Sequence, residues 1–412
     1  MSSSTNLLFL THPWKACQTL GKAGCKVLAR PLALCLALAW ATASCIDPFT
    51  PPDITGGAGF LVVDGFLEVG APTSHITLTR TVNLTDQGSG ETVNFAEVSV
   101  EEENGPTVQG TRTDVPGQYR IDLLAEAGKN YRLHISLILG GSNQRYQSDW
   151  VMARETPPID SLSLVVQNNG LEVQVNTGDP QNNTRFYRWK FVETFQYFSP
   201  YPSFFIVSDG RIVNRPIELL NNQCWRTDAS SSILIGTSAR LSEDVIARRP
   251  LLFIPSNSLR LRVRYSILVQ QFAMSREEFE YWDLLSKNTE QLGGLFDPLP
   301  SQVEGNIRSL NNPEEQVLGY FSAYTVAEKR AFVQRSELPT EWRPLRGFDG
   351  CFDNQVDTLT ASEILNAPVR DFAILQEIFG ELGLTPIGFS VINETCSDCR
   401  VLGGTLERPD FW

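Results

Sequence analysis

Hydrophobic and polar positions alternate with a period of two along much of this chain. Phe60 to Val69 reads as a strand. In the next segment Ile76, Leu78 and Val82 share one face, and His75, Thr77 and Thr79 share the other. Ala96 to Val100 gives a third strand, closed by the turn Glu103-Asn104-Gly105. Tyr119, Ile121 and Leu123 follow the turn Val115-Pro116-Gly117. Tyr131, Leu133, Ile135, Leu137 and Leu139 form a long run closed by Gly140-Gly141, and Tyr146 to Met152 ends the set. Successive side chains of a strand point to opposite faces, so each segment has one apolar and one polar side. About six or seven short strands with turn signals between them predict a β-sandwich over residues 58–155. Arg154 to Pro158 marks its end.

The remaining stretch, residues 156–412, is also rich in strands but less regular. Leu162 to Val166 and Leu171 to Val175 flank Asn168-Asn169-Gly170, a hairpin signal. Phe186 to Phe205 holds ten aromatics in twenty residues. Tyr187, Trp189, Phe191, Phe195 and Tyr197 fall on one strand face. Aromatics in such a row are usually core; Tyr187, Trp189, Phe191 and Tyr197 are also the candidates for a platform under a sugar, peptide or partner. From Leu259 to Val269 apolar residues alternate with Arg260, Arg262 and Arg264, which predicts a strand whose basic stripe pairs with local acids.

Helical periodicity shows in two places. Ser275 and Glu278 have the spacing of a capping box, Phe279, Trp282, Leu285 and Leu292 follow at helical spacing, and Gly293-Gly294 ends the run. A second helical stretch is predicted near Phe372 to Phe379. The fold expected is therefore all-β, an N-terminal β-sandwich followed by a larger β-rich domain with one or two packed helices.

The first 44 residues follow another logic. Lys15, Lys22, Lys26 and Arg30 precede an apolar core from Pro31 to Trp40, and the small residues Ala41-Thr42-Ala43-Ser44 lead to Cys45. This is the tripartite order of an export signal, too short to span a bilayer, which takes about 20 apolar residues. Residues 1–44 are read as a lipoprotein signal peptide with Cys45 as the lipidated first residue of the mature chain. Thr42 stands where such signals usually carry leucine; ordinary secretion with a free Cys45 is the alternative. Bacterial lipoproteins carry three acyl chains, palmitate among them, which makes anchoring stable where one chain would not. Residues 45–57, rich in proline and glycine, read as a tether.

The cysteines fit an oxidising compartment. Cys17, Cys25 and Cys35 leave with the leader and Cys45 takes lipid, so Cys224, Cys351, Cys396 and Cys399 remain. The expectation is two disulfides, each joining one of Cys396 and Cys399 to Cys224 or Cys351. A redox CxxC and a four-cysteine zinc site are the alternatives. No thioredoxin-like βαβ pattern surrounds Cys396 and Cys399, and a zinc site of that kind wants a second CxxC.

Charge and absent motifs narrow the function. The formal net charge is −13, and loss of four basic leader residues takes it to −17. So acidic a chain repels nucleic acid. There is no Walker loop, GxGxxG or GxSxG. His75 and His134 have no cysteine or histidine at metal spacing. Asp349, Asp353, Asn354 and Asp357 surround Cys351 without EF-hand order, so no metal or other cofactor is assigned. No catalytic residues are assigned either, and the expectation is a protein that is not an enzyme.

Certain segments carry a resemblance. VVDGFLEVG opens the first domain and SDW follows it; YRWKFVETFQY, Cys224-Trp225, VRYSILVQQFAMSREEFEYWDLL, FDPLPSQVEGNI, VLGYFSA and the ending CSDCRVLGGTLERPDFW complete the order. In these pieces the chain resembles the Bacteroidota lipoprotein family known as domain of unknown function 4249. The resemblance implies an envelope lipoprotein of the outer membrane, on its periplasmic or its surface face, whose N-terminal sandwich over residues 58–155 is an Ig-like or transthyretin-like module. Members are often encoded beside TonB-dependent outer-membrane receptors, which implies an accessory role in nutrient uptake. The competing expectations are a structural or adhesive surface lipoprotein without a transport role and a carbohydrate-active hydrolase.

Overall fold

The alternation seen in the sequence folds into mostly antiparallel sheets. The structure, a computed structural model, describes residues 59–82, 90–290, 303–352, 356–381, 383 and 385–412. The leader, Cys45, the tether, Leu292, Gly293, Gly294, Asp353 and Asn354 lie outside them.

Two six-stranded sheets face each other in the first half. One runs Val317–Gly319, Leu61–Gly65, Ser74–Arg80, Gln118–Ile121 and Thr111–Arg112, with Glu91–Thr92 beside Ser74–Arg80. The other runs Ile307–Ser309, Ser142–Ser148, Asn130–Leu139, Ala96–Glu102 and Thr107–Gln109, with Val151–Met152 on Asn130–Leu139. Leu61, Ile76, Leu78, Val100, Tyr131 and Leu133 meet between them, all fully buried. Leu139 and Val82, at the ends of their apolar rows, emerge into solvent. A segment from far along the chain completes this sandwich. Val317–Gly319 pairs in parallel with Leu61–Gly65, Ile307–Ser309 pairs antiparallel with Ser142–Ser148, and Phe321 and Ala323 enter the core.

The second half holds a larger core. Phe186–Phe198 is the central strand of a sheet ordered Gln223–Ala229, Phe186–Phe198, Arg264–Ala273 and Ala327–Gln334, with Leu234–Thr237 also on the central strand. Ile159–Gln167, Gly170–Asp179 and Asp244–Pro255 make a three-stranded sheet. Leu171, Val173 and Val175 from that sheet share the core with Tyr187, Trp189, Tyr265 and Ile267. A third sheet, Arg211–Asn214, Phe205–Ser208, Phe372–Phe379, Pro386–Asn393 and Asp357–Leu359, has a small core of its own around Ile374, Phe389 and Val391.

Two disulfides tie the end of the chain down: Cys224 to Cys399 and Cys351 to Cys396. Each member of the Cys396/Cys399 pair therefore takes a different distant partner, as the sequence led us to expect. From Cys396 to Trp412 the chain forms 3-10 turns and loops, with no strand or α-helix. Gly59 to Trp412 makes one compact unit.

Three local expectations need correction. Phe372–Phe379 is a strand, not a helix. It is buried on both faces: Ala373 and Leu375 point into the large core and Ile374 into the small one. The short helix lies just before it, Ala361–Asn366, capped by Thr360 and Glu363 in a complete capping box. Leu259–Leu261 is a 3-10 turn, and the strand begins only at Arg264. The three arginines then have three different partners. Arg260 pairs with the buried Glu193 at 3.3 Å, Arg262 donates to the Phe198 carbonyl oxygen at 2.7 Å, and Arg264 lies over the rings of Phe332 and Trp412.

Candidate functional site

The one long helix among the described residues, α1 (Arg276–Glu290), lies over the outer face of Phe186–Phe198. Alternation along that strand decides what α1 meets. Tyr187, Trp189 and Phe191 point into the large core, so Phe186, Arg188 and Lys190 point the other way. Phe186 meets Phe279 of α1 with ring centroids 5.1 Å apart. The Arg188 guanidinium lies over the Trp282 ring, 3.4 Å from its centroid.

Ser275 caps the helix, its hydroxyl accepting from the Glu278 backbone N–H at 3.1 Å. The Glu278 carboxylate does not return the bond as a capping box requires. It accepts instead from Trp282 Nε1 at 3.3 Å and is only 3% exposed. Burial raises its pKa to about 7 against the pull of Ser322, Arg188, Trp282 and Arg154. Beside it Tyr324 is buried and its hydroxyl pKa is driven far up, by desolvation first and then by Glu278.

Glu278 separates two cavities. One, of about 370 Å³, is polar and lies toward Asp149, Arg154, Glu277 and Asn306. The other, of about 480 Å³, lies between α1, the outer face of Leu61–Gly65 and Ser74–Arg80, and the outer face of Phe186–Phe198. Trp282, Leu285 and Leu318 give it apolar wall, and Arg188, Lys190 and Asp64 give it charge. Burial lowers the Lys190 pKa, and neighbouring Arg188 lowers it further while Asp64 opposes both. A cavity of this size, largely apolar with a few converging polar groups, has the general form of a small-molecule site.

The residues singled out in the sequence are distributed differently. Tyr187, Trp189 and Tyr197 have no exposed surface and Phe191 has 7%. The platform reading is therefore replaced by core packing: no ring of the four has a free face. Their polar atoms are satisfied inside. Trp189 Nε1 donates to Gln271 Oε1 at 2.8 Å, the Tyr187 hydroxyl donates to Asp244, and the Tyr197 hydroxyl donates to the Cys399 carbonyl oxygen at 2.6 Å. Cys224, Cys351, Cys396 and Cys399 are structural disulfide partners, all buried. His134 Nε2 lies 2.7 Å from Glu101 Oε2 on a sandwich face, and His75 is exposed. Asp349 accepts from the Gly347 backbone N–H, a turn contact.

Arg188, Lys190 and Glu278 were not singled out as a site. The two cations stand between the core aromatics in YRWKF and read as the polar side of a strand. Glu278 reads as a cap. Only the tertiary fold brings the three to one cavity.

Fold and cavity together define the class: a disulfide-braced all-β protein with a cavity beneath a single long helix. The chain belongs to the family described as domain of unknown function (DUF4249), whose model matches residues 46–330. None of the curated proteins matches the chain. Among solved structures it is similar to a two-domain fibronectin type III segment of chicken tenascin, at 12% identity. That likeness covers 53% of this chain and 91% of the other, with a TM-score of 0.15. It is also similar to a DUF4785 family protein from Legionella pneumophila, at 10% identity over 52% of each chain, with a TM-score of 0.17. Scores this low give neither likeness any weight for fold or function.

Proposed function

We propose that the protein is a lipid-anchored binding or scaffold protein of the outer membrane, and not an enzyme. In this reading Cys45 carries the lipid, and the folded part serves as accessory partner of a TonB-dependent receptor in nutrient uptake. The observation that carries the reading is the pair of buried disulfides, Cys224–Cys399 and Cys351–Cys396. Structural disulfides persist in oxidising compartments and are rare in the bacterial cytosol. They therefore agree with the export signal that ends at Cys45. No helix among the described residues is long and apolar enough to cross a membrane. Attachment through lipid would be compatible with that. The receptor partnership follows from the family resemblance, and the site geometry does not select it.

Cross-linking in intact cells followed by purification in mild detergent tests the partnership. An outer-membrane barrel of receptor size is expected in the cross-linked species. Recovery of the monomer alone, with nothing attached, contradicts it.

A further inference from the structure

We propose that the cavity beneath α1 binds a small monoanion with an apolar body, its head held by Arg188 and Lys190. This goes beyond the anchoring and partnership argued above and rests on neither.

The cations carry the argument. Arg188 and Lys190 are two positions apart on one strand face, so they stand side by side and both line the cavity. Among the described residues neither side chain makes a hydrogen bond or an ion pair. Arg188 has the Trp282 ring and the field of Glu278, and Lys190 has only the fields of Arg188 and Asp64. Two partly buried like charges without a partner are costly, and an anion between them removes the cost. The Trp282 ring beneath Arg188 holds its guanidinium at the cavity wall, and the planar fork of a guanidinium suits an oxyanion.

Charge balance sets the valence. Asp64 is exposed at the cavity margin, and its solvated carboxylate offsets one of the two cations. Glu278, the other acid facing this space, is buried, and burial raises its pKa to about 7, so near neutral pH it offsets only part of a charge. At most one unit of positive charge is left, which fits a carboxylate better than a phosphate dianion. The wall sets the body. Trp282, Leu285 and Leu318 offer apolar surface, and about 480 Å³ holds a molecule of one or two rings.

Equilibrium dialysis of the full chain against 2-naphthoate and its neutral isostere 2-naphthamide tests the proposal. Saturable binding of the naphthoate, about tenfold or more tighter than the amide, is expected, and tenfold corresponds to about 1.4 kcal/mol. R188Q/K190Q should bring the two ligands to equal affinity. K190M, which removes a buried charge, gives a second variant with Arg188 intact and should cut the preference in part. T79W fills part of the cavity while leaving both cations in the sequence, and should weaken both ligands. Equal affinity of the two ligands in the wild type overturns the proposal, as does absence of saturable naphthoate binding. So does a preference that survives in folded R188Q/K190Q or is unchanged in K190M.

Discussion

The Tyr197 hydroxyl donates to the carbonyl oxygen of Cys399, 2.6 Å away and 202 positions along the chain. Tyr197 also faces Cys224 across the sheet, and Cys224 is the disulfide partner of Cys399. One side chain thus braces both ends of a crosslink, and burial pushes its own pKa up to about 12. Y197F leaves a buried carbonyl oxygen without its donor. The expected loss is about 1–3 kcal/mol in urea unfolding, with both disulfides still formed.

The crosslink itself should matter more. Cys224 and Cys399 are 175 positions apart, so the bond restricts a long loop of the unfolded chain. C224S/C399S should lose about 2–5 kcal/mol. Thiol titration of the denatured, unreduced wild type should find none of Cys224, Cys351, Cys396 and Cys399 free. Four reactive thiols would contradict the pairing.

Gly404 sits against the same brace. A Cβ there would meet the Tyr197 hydroxyl and would stand 2.7 Å from the Cys224 Cβ. Neither neighbour can yield, one being fixed by its hydrogen bond and the other by its disulfide. G404A should cost about 1–3 kcal/mol, as overpacking does. G210A makes the comparison. Gly210 has open space around it, so only its positive φ of 71° opposes a side chain there. Thermal melts of the two variants should separate the effect of packing from that of backbone conformation.

Glu278 predicts a pH dependence. Its pKa is raised from 4.5 to about 7 by burial. Between those values the folded protein holds more protons than the unfolded chain, so stability falls as pH rises from about 4.5 to about 7. The contribution is fully present below pH 4.5 and gone above pH 7. At 1.36 kcal/mol per pKa unit the change is about 3 kcal/mol. E278Q should therefore show a smaller decline over that window and be the more stable protein at pH 8. Urea midpoints for both proteins from pH 4 to pH 8 measure this; parallel curves would contradict it.

How much of this was legible in the sequence depends on the burial of each element. Strands with one wet face announced themselves. In Tyr131 to Leu137 every second residue is buried, and the alternation is plain. Phe372–Phe379 gave no such signal because Ala373, Ile374 and Leu375 are buried in succession between two cores. Without alternation, Phe372, Leu375 and Phe379 imitate helical spacing. Return of Ile307–Ser309 and Val317–Gly319 to the first sandwich was invisible for another reason. A pairing such as Leu61 with Val317 leaves no local trace. The cavity was hidden for the same reason. Its walls come from Leu61–Gly65, Phe186–Phe198 and α1, and each reads locally as an ordinary strand face or helix turn. The aromatic strand shows the converse: its face was read correctly, and its density reflects core packing.

The proposed function rests first on Cys45, whose lipid would hold the protein on a membrane and so bring it near a receptor. Metabolic labelling with palmitate, in wild type and in Cys45→Ala, tests this most directly. Label should enter the wild-type protein and be lost in the variant, which should then leave the membrane fraction. Equal label in the two proteins would contradict the assignment of Cys45 as the anchor.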